Sequence, residues 1–164
     1  MARDVAYGIW VNARTSATSG TATVVTVYTI GTPAAPLSLF DELTVYLDVT
    51  TALAGTTPTM NLYLQRAIRP NADPATDADW EDFYASLQVT TGIVQHVVTL
   101  PSYLASAPAV APNAVTHTRS LDTMTADSLR QGHQGHGLRI REKIGGTVTQ
   151  AAVYSIYARG VRYY

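Results

Sequence analysis

Two stretches of the chain alternate strictly between apolar and polar residues. In LTVYLDVT (43–50) every odd-numbered residue is aliphatic, and every even-numbered residue is polar or a tyrosine. In MNLYLQRA (60–67) the first, third and fifth residues are apolar and their neighbours are not. A period of two is typical of a β-strand with one face in the core and one in water. The pattern predicts two half-buried strands, with Tyr46 and Tyr63 on their outer faces.

Five further segments are rich in the β-branched and aromatic residues that favour strands. Glycine, proline, asparagine and aspartate separate them, as expected for turns. Gly145 and Gly146 predict a two-residue hairpin turn between the last two strands. Residues 15–22 indicate a hairpin loop, and residues 51–59 a turn-rich connection. The five segments are 5–13, 21–30, 91–100, 137–144 and 147–161.

Helix signals are few. Residues 77–87 are compatible with a short helix that has Asp77 or Asp79 as its N-cap. Residues 124–132 are compatible with a single turn ended by Gly132. Both segments fit an ordered loop equally well. Residues 101–118 contain three of the eight prolines and predict a long extended connection.

Seven or eight strands with little helix predict an all-β protein, an antiparallel β-sandwich. A jelly roll is the preferred topology and an immunoglobulin-like sandwich is the alternative. The 164 residues fit one domain, because domains commonly span about 100–200 residues. We therefore expect a single sandwich domain over residues 1–164.

The composition excludes several classes of function. Charged residues make up 14% of the chain and the net charge is −1, so no general attraction to nucleic acid or anionic lipid is expected. No cysteine is present, which excludes disulfides, thiolate metal sites and a cysteine nucleophile. The first residues lack the apolar core of a secretory signal, and no apolar run is long enough to span a membrane.

Two histidines, His133 and His136, lie three residues apart in a glycine-rich run. A zinc site needs three or four ligands, and this pair supplies two. His117 could join them from the preceding loop, but nothing in the spacing requires it. The glycines make a shared helical face improbable. The pattern favours a structural loop over a metal site or a catalytic site.

The acidic segment NADPATDADWEDF (71–83) resembles a calcium loop only in part. A calcium loop that began at Asp77 would need glycine at its sixth position and glutamate at its twelfth. Those positions hold Asp82 and Gln88. The sequence favours a solvated loop that Trp80 and Phe83 anchor to the sandwich, and it leaves open a weak structural Ca²⁺ at residues 73–82.

Catalytic motifs of the common kinds are not found. The chain has no Gly-x-Ser-x-Gly elbow, no phosphate-binding Gly-x-x-x-x-Gly-Lys-Ser/Thr and no dinucleotide-binding Gly-x-Gly-x-x-Gly. Paired carboxylates for glycoside hydrolysis depend on distances in space, which the sequence does not give. We expect a protein that is not an enzyme and has no cofactor.

Tyrosine is strongly over-represented, with ten tyrosines against two phenylalanines. Tyrosine is enriched at protein interfaces, where a surface is apolar and hydrated at once. The two ends of the chain, about residues 1–12 and 160–164, share this character and are predicted to be docking ends. The candidate partner-binding residues are Asp4, Tyr7, Trp10, Arg162, Tyr163 and Tyr164, together with the loop arginines Arg139 and Arg141.

Several stretches resemble a known group of proteins. They are LYLQRAIRP (62–70), WEDF (80–83), LQVTTG (87–92) and ADSLRQGHQGHGLRIREKIGG (126–146), followed by a tyrosine-rich last strand. Over about residues 38–164 the chain resembles small β-sandwich structural proteins of tailed bacteriophages, most of all the capsid decoration (cement) proteins. The loop before Trp80 is longer than is common in that group and lacks its glycine.

The resemblance implies a virion protein that is made in the host cytoplasm and binds the capsid exterior. Its implied partners are the major capsid protein and further copies of itself, in a homotrimer. Three alternatives remain open. One is a tail- or fibre-associated sandwich, the second is a carbohydrate-binding module with Trp80 or Trp10 as a stacking platform, and the third is a glycosidase or metal-dependent hydrolase.

Overall fold

The computed structural model describes residues 3–27, 29–30, 35–36, 41–93, 95–101, 121–126, 128–129 and 137–163. These residues form β-strands and one turn of 3₁₀ helix at Asp77–Asp79. The strands are β1 (Arg3–Thr15), β2 (Gly20–Val27), β3 (Thr29–Ile30), β4 (Ala35–Pro36), β5 (Glu42–Thr51), β6 (Ala54–Ala67), β7 (Trp80–Ala85), β8 (Gln95–Pro101), β9 (Ser128–Leu129), β10 (Leu138–Gln150) and β11 (Val153–Tyr163).

The strands form two main sheets, and within each sheet every pair of neighbouring strands is antiparallel. Sheet A has the order β1-β11-β5-β8, and sheet B has the order β2-β10-β6-β7-β9. Strands β3 and β4 form a separate two-stranded ribbon. The predicted all-β antiparallel sandwich is confirmed. A jelly-roll topology stays a prediction.

The core lies between the two sheets and follows the predicted alternation. On β5 the odd-numbered residues 43–49 are all buried, and on β6 the apolar residues of 60–64 meet them from the other sheet. Strands β10 and β11 close the same cluster. The largest aliphatic side chains with almost no exposed surface are Leu43, Leu53, Met60, Leu138 and Ile140.

Both alternatives predicted for residues 77–87, a short helix and an ordered loop, are wrong. One 3₁₀ turn is followed directly by β7, and all six residues of β7 are buried. A strand that is covered on both faces shows no alternation, so its sequence does not reveal it. For residues 124–132 the single helical turn is wrong where it can be judged, because Ser128–Leu129 pair with β7 as a short strand. Residues 124–126 are irregular, as the alternative of an ordered loop predicted.

Among the connections that cross from one sheet to the other are three short ones. Residues 16–19 join β1 to β2, residues 52–53 join β5 to β6, and residues 151–152 join β10 to β11. The hairpin loop predicted at 15–22 is therefore wrong, since the strands on its two sides lie in different sheets. The connection predicted at 51–59 is shorter than expected, because β6 already begins at Ala54.

The hairpin predicted at Gly145 and Gly146 is wrong as well, because β10 runs straight through both residues. A Cβ atom on Gly146 would lie 2.1 Å from the carbonyl oxygen of Thr57, and φ at Gly146 is +72°. A Cβ atom on Gly55 of β6 would lie 1.9 Å from the carbonyl oxygen of Thr147. Glycine serves here for close approach of two strands and not for a turn.

Some predictions fall outside the described residues. They concern His117, His133, His136, Tyr164, and the extended connection beyond Pro101. Within the described part of the chain, no helix is long and apolar enough to cross a membrane.

Candidate functional site

The two predicted docking ends lie side by side. Strand β1 pairs with β11 along the edge of sheet A, and the register places Asp4 opposite Arg162 and Tyr7 opposite Arg159. Tyr163 lies in the same pairing, opposite Arg3. The side chain of Tyr7 is 68% exposed. Residues from the edge strand β1 and from its neighbour β11 thus lie together at one side of sheet A.

An apolar row crosses the outer face of sheet A next to this edge. Ile9 is paired with Tyr157, Tyr157 with Tyr46, and Tyr46 with Val97, so the four residues lie in one line across all four strands. Ile9 is 64% exposed and Val97 is 56% exposed. We call these four residues the sheet A row. Sequence reasoning missed Ile9, Tyr157 and Val97, although each lies at a position where an outward-facing strand residue is usually polar.

Polar residues flank the sheet A row on both sides. On one side lies Arg159, two residues from Tyr157 along β11. On the other side lies Asp48, two residues from Tyr46 along β5, and its Oδ1 accepts a hydrogen bond from Nε2 of Gln95 at 3.2 Å. A groove of about 320 Å³ lies between the row and the Asp48 side. The face therefore combines exposed rings with opposite charges at its two borders.

Neither tryptophan supplies an open ring to this surface. Trp80 is fully buried, and its Nε1 donates to the carbonyl oxygen of Asp73 at 2.8 Å. Its predicted role as an anchor is confirmed, and its role as a stacking platform for a saccharide is wrong. Trp10 is half-buried and packs against the core from β1. The hypothesis of a carbohydrate-binding module loses the platform at Trp80.

Arg139 is not a docking residue, because its side chain is completely buried on the outer side of sheet B. Its Nε donates to Oε1 of Gln65 at 2.7 Å, and its Nη1 donates to the carbonyl oxygen of Pro74 at 2.6 Å. Its Nη2 donates to Oδ1 of Asp77 at 2.7 Å. The guanidinium also lies over the ring of Trp80, 5.0 Å from the ring centroid. Every part of the group is used within the fold.

Arg141 is held in the same way, two residues further along β10. It donates to Oδ1 of Asp77 at 2.7 Å and to Oδ2 of Asp122 at 2.9 Å, and only 11% of its side chain is exposed. Lys143 continues the series and donates to the carbonyl oxygen of Asp122 at 2.9 Å. The basic face of β10 therefore fastens two loops to sheet B, and the two arginines offer little or no surface to a partner.

Asp82 is the acceptor that holds the second of these loops. Its carboxylate accepts hydrogen bonds from the backbone N–H groups of Asp122, Thr123 and Met124, at 3.0, 3.1 and 3.2 Å. It also accepts from Nε2 of Gln65 at 2.7 Å. The side chain of Asp82 is fully buried. One carboxylate thus orders three consecutive backbone groups.

The network shifts the pKa values of Asp77 and Asp122 in opposite directions. Burial raises the pKa of Asp122, and the charge of Arg141 opposes this only in part. Burial also acts to raise the pKa of Asp77, but Arg139 and Arg141 outweigh it and hold that pKa below its ordinary value. The stabilisation from ionised Asp77 is therefore present above the ordinary carboxyl pKa. It is lost as the pH falls through the lowered value.

The acidic loop uses its carboxylates on the protein itself. Asp73 accepts from the backbone N–H of Ala75 at 2.9 Å and from the hydroxyl of Thr76 at 3.2 Å. Asp79 accepts from the backbone N–H of Asp73 at 3.0 Å. Within the described residues, no group of three or more histidine, aspartate or glutamate side chains is arranged to hold a metal ion.

A second buried polar cluster lies at Glu142, which points into the sandwich from β10. Its Oε2 accepts from the Tyr154 hydroxyl at 2.8 Å, and its Oε1 accepts from Nη2 of Arg14 and the backbone N–H of Ala17, both at 3.0 Å. Both Glu142 and Tyr154 have no exposed surface. The cluster joins sheet B to two strands of sheet A and to the connection between β1 and β2.

We expect Tyr154 to make the fold sensitive to alkali. Burial and the charge of Glu142 raise the pKa of Tyr154 well above the ordinary value. Above about pH 10, Tyr154 ionises in the unfolded chain but not in the folded one, so the free energy of unfolding falls by about 1.4 kcal/mol per pH unit from this residue. Urea unfolding from pH 9 to 11 measures this slope, and Tyr154→Phe should reduce it. An unchanged slope in the variant would contradict the assignment.

His96 lies between the sheet A row and the core. Its Nε2 is hydrogen-bonded to the hydroxyl of Tyr84, and the two rings are stacked with their centroids 6.1 Å apart. Both residues line an interior cavity of about 30 Å³. A cavity of that size accommodates about one water molecule.

Comparisons with known proteins add no name to this arrangement. No family model, no curated protein and no solved structure matches the chain.

Proposed function

We propose that this chain is a virion structural protein of the phage decoration type, which binds the outer surface of an assembled capsid and stabilises the shell. One observation carries the proposal. The pairing of β1 with β11 gathers the two predicted docking ends at one side of sheet A, next to the exposed sheet A row. Low charge density suits a protein that is packed among many neighbours.

Stabilisation requires binding and no chemical step. A ligand that binds the assembled shell and not its free subunits lowers the free energy of the assembled state. Many identical docking sites on one shell add their contributions. A rigid sandwich fits this task, because a preformed docking edge loses little conformational entropy on binding.

Tyr7 allows a direct test, because substitution of an exposed residue usually changes the free energy of unfolding by less than about 0.5 kcal/mol. Purified protein is mixed with empty shells of the phage that encodes it, and the bound fraction is measured by co-sedimentation. Wild-type protein should bind and should raise the temperature at which the shells disassemble. Tyr7→Ser should weaken binding about 30-fold, the effect of losing a residue worth about 2 kcal/mol at an interface.

Ile93→Ser is the matched control. Ile93 is also 68% exposed, and it lies in the segment that leads to β8, at the opposite edge of sheet A. The control should bind like the wild type. Equal loss in both variants would remove the β1 edge from the proposal, and a wild-type protein that does not bind the shells would refute the function.

A further inference from the structure

The outer face of sheet A has the pattern of a self-complementary surface. Arg159 lies two residues to one side of the sheet A row, on β11, and Asp48 lies two residues to the other side, on the neighbouring strand β5. Each is therefore about 7 Å from the row, measured along its strand. The positive and negative borders are equidistant from a line that is itself apolar.

A two-fold axis along that line brings the opposite charges together. When two copies face each other with the axis parallel to the row, the side of one copy that carries Arg159 lies over the side of the other that carries Asp48. Arg159 of one copy and Asp48 of the other are then offset sideways by one strand spacing of about 4.8 Å. They face each other across a gap of about 10 Å between the packed sheets. The side chains of arginine and aspartate extend into such a gap from both sides. Symmetry produces this contact twice.

From this geometry we infer that a second copy of this chain docks on the outer face of sheet A, row against row, with reciprocal pairs between Arg159 and Asp48. The apolar row supplies the burial, because Ile9 and Val97 are both more than half exposed in the single chain. The charged residues at the two borders fix the orientation, because the two copies repel each other in any orientation that places Arg159 over Arg159. The inference does not depend on capsid binding.

The size of the face indicates a weak pair. The row crosses three strand spacings, about 14 Å, and with a border of about 7 Å on each side the face covers about 200 Å² on each copy, or about 400 Å² in total. That is below the total of about 1,200–2,000 Å² that stable protein complexes bury. Association in solution should therefore depend on concentration. The resemblance implied a trimer, whereas this contact makes dimers.

Cross-linking tests the contact directly, because the chain has no cysteine of its own. Val97 lies on the inferred axis and would face its own copy, so Val97→Cys should be joined into a covalent dimer by a bismaleimide that spans about 10 Å. Ser19→Cys is the control, at an exposed position in the connection between β1 and β2. If Val97→Cys gives no more dimer than Ser19→Cys, the inference is overturned.

Charge reversal tests the orientation. Asp48→Arg and Arg159→Asp should each weaken self-association at least tenfold in sedimentation equilibrium, and the double variant should return to within about threefold of the wild type. Thr90→Arg, an exposed position outside the face, should change nothing. Single variants that associate like the wild type, or a double variant weaker than both, would overturn the pairing. Shell binding is measured separately, so its failure would leave this result intact.

Discussion

Replacing Arg139 with methionine should lower the free energy of unfolding by about 3–5 kcal/mol, at roughly 1–1.5 kcal/mol for each of three hydrogen bonds from a buried guanidinium. Methionine keeps most of the aliphatic volume but none of the donors. Gln65, Asp77 and the carbonyl of Pro74 would each lose a hydrogen bond from a group that has no exposed surface. The contact over Trp80 would also lose its charge. Urea denaturation, followed by tryptophan fluorescence, measures the loss.

Two further variants separate the effect of burial on stability from the effect of charge. Arg139→Lys keeps the charge but not the planar fork that reaches three acceptors, so an intermediate loss is expected. Arg69→Met removes an arginine from the same region that pairs with Asp79 at 2.6 Å but is 56% exposed. The carboxylate of Asp79 is only 8% exposed, so removing Arg69 leaves it partly unpaired, and we expect a loss of about 1–2 kcal/mol, smaller than that for Arg139→Met. A loss for Arg139→Met no larger than that of Arg69→Met would show that the network is not needed for stability.

The sequence predicted correctly those strands that have one face in the core and the other face in solvent. Alternation in residues 43–50 and 60–67 predicted β5 and β6, because the face toward the core must be apolar in each. It failed at β7, since WEDFYA is covered on both sides and two of its acids are buried. Its acidic residues resemble those of a helix start, but they are present because they bind partners elsewhere in the fold and not because the segment prefers a helix.

The predictions of the connections between strands were wrong for a different reason. A pair of glycines between two strand-like segments usually marks a hairpin, but Gly146 is required by the carbonyl of Thr57 on a neighbouring strand. Such a contact joins residues far apart in sequence, so no local pattern contains it. The crossing of three connections between the sheets is likewise a property of the assembled sandwich.

The basic face of β10 was detectable but misassigned. In LRIREKI (138–144) basic residues alternate with apolar ones, while the loop at 71–83 is rich in aspartate. Charge complementarity between these segments could have predicted that the arginines bind the loop. Tyr7 is exposed and Arg162 is half-buried, and their role as docking residues stays a prediction.

Glu142→Leu should be as damaging as the loss of Arg139, with an expected fall of about 3–5 kcal/mol in the free energy of unfolding. Leucine would leave the Tyr154 hydroxyl, Nη2 of Arg14 and the backbone N–H of Ala17 facing an apolar group. The first of these donors is fully buried. Glu42→Leu, on a half-exposed glutamate of β5, is the matched control and should change stability by at most about 0.5 kcal/mol.

Glu142→Gln separates the charge of this group from its shape. Glutamine keeps one oxygen for Arg14 and Ala17, and its amide group can donate to the Tyr154 hydroxyl, which then acts as an acceptor. The hydrogen bonds survive and only the charge is lost, so we expect a cost of about 1–2 kcal/mol. If glutamine costs as much as leucine, the ionic contact with Arg14 stabilises the junction of the two sheets. If it costs far less, the junction is held by geometry, and ionisation of Glu142 is not required for folding.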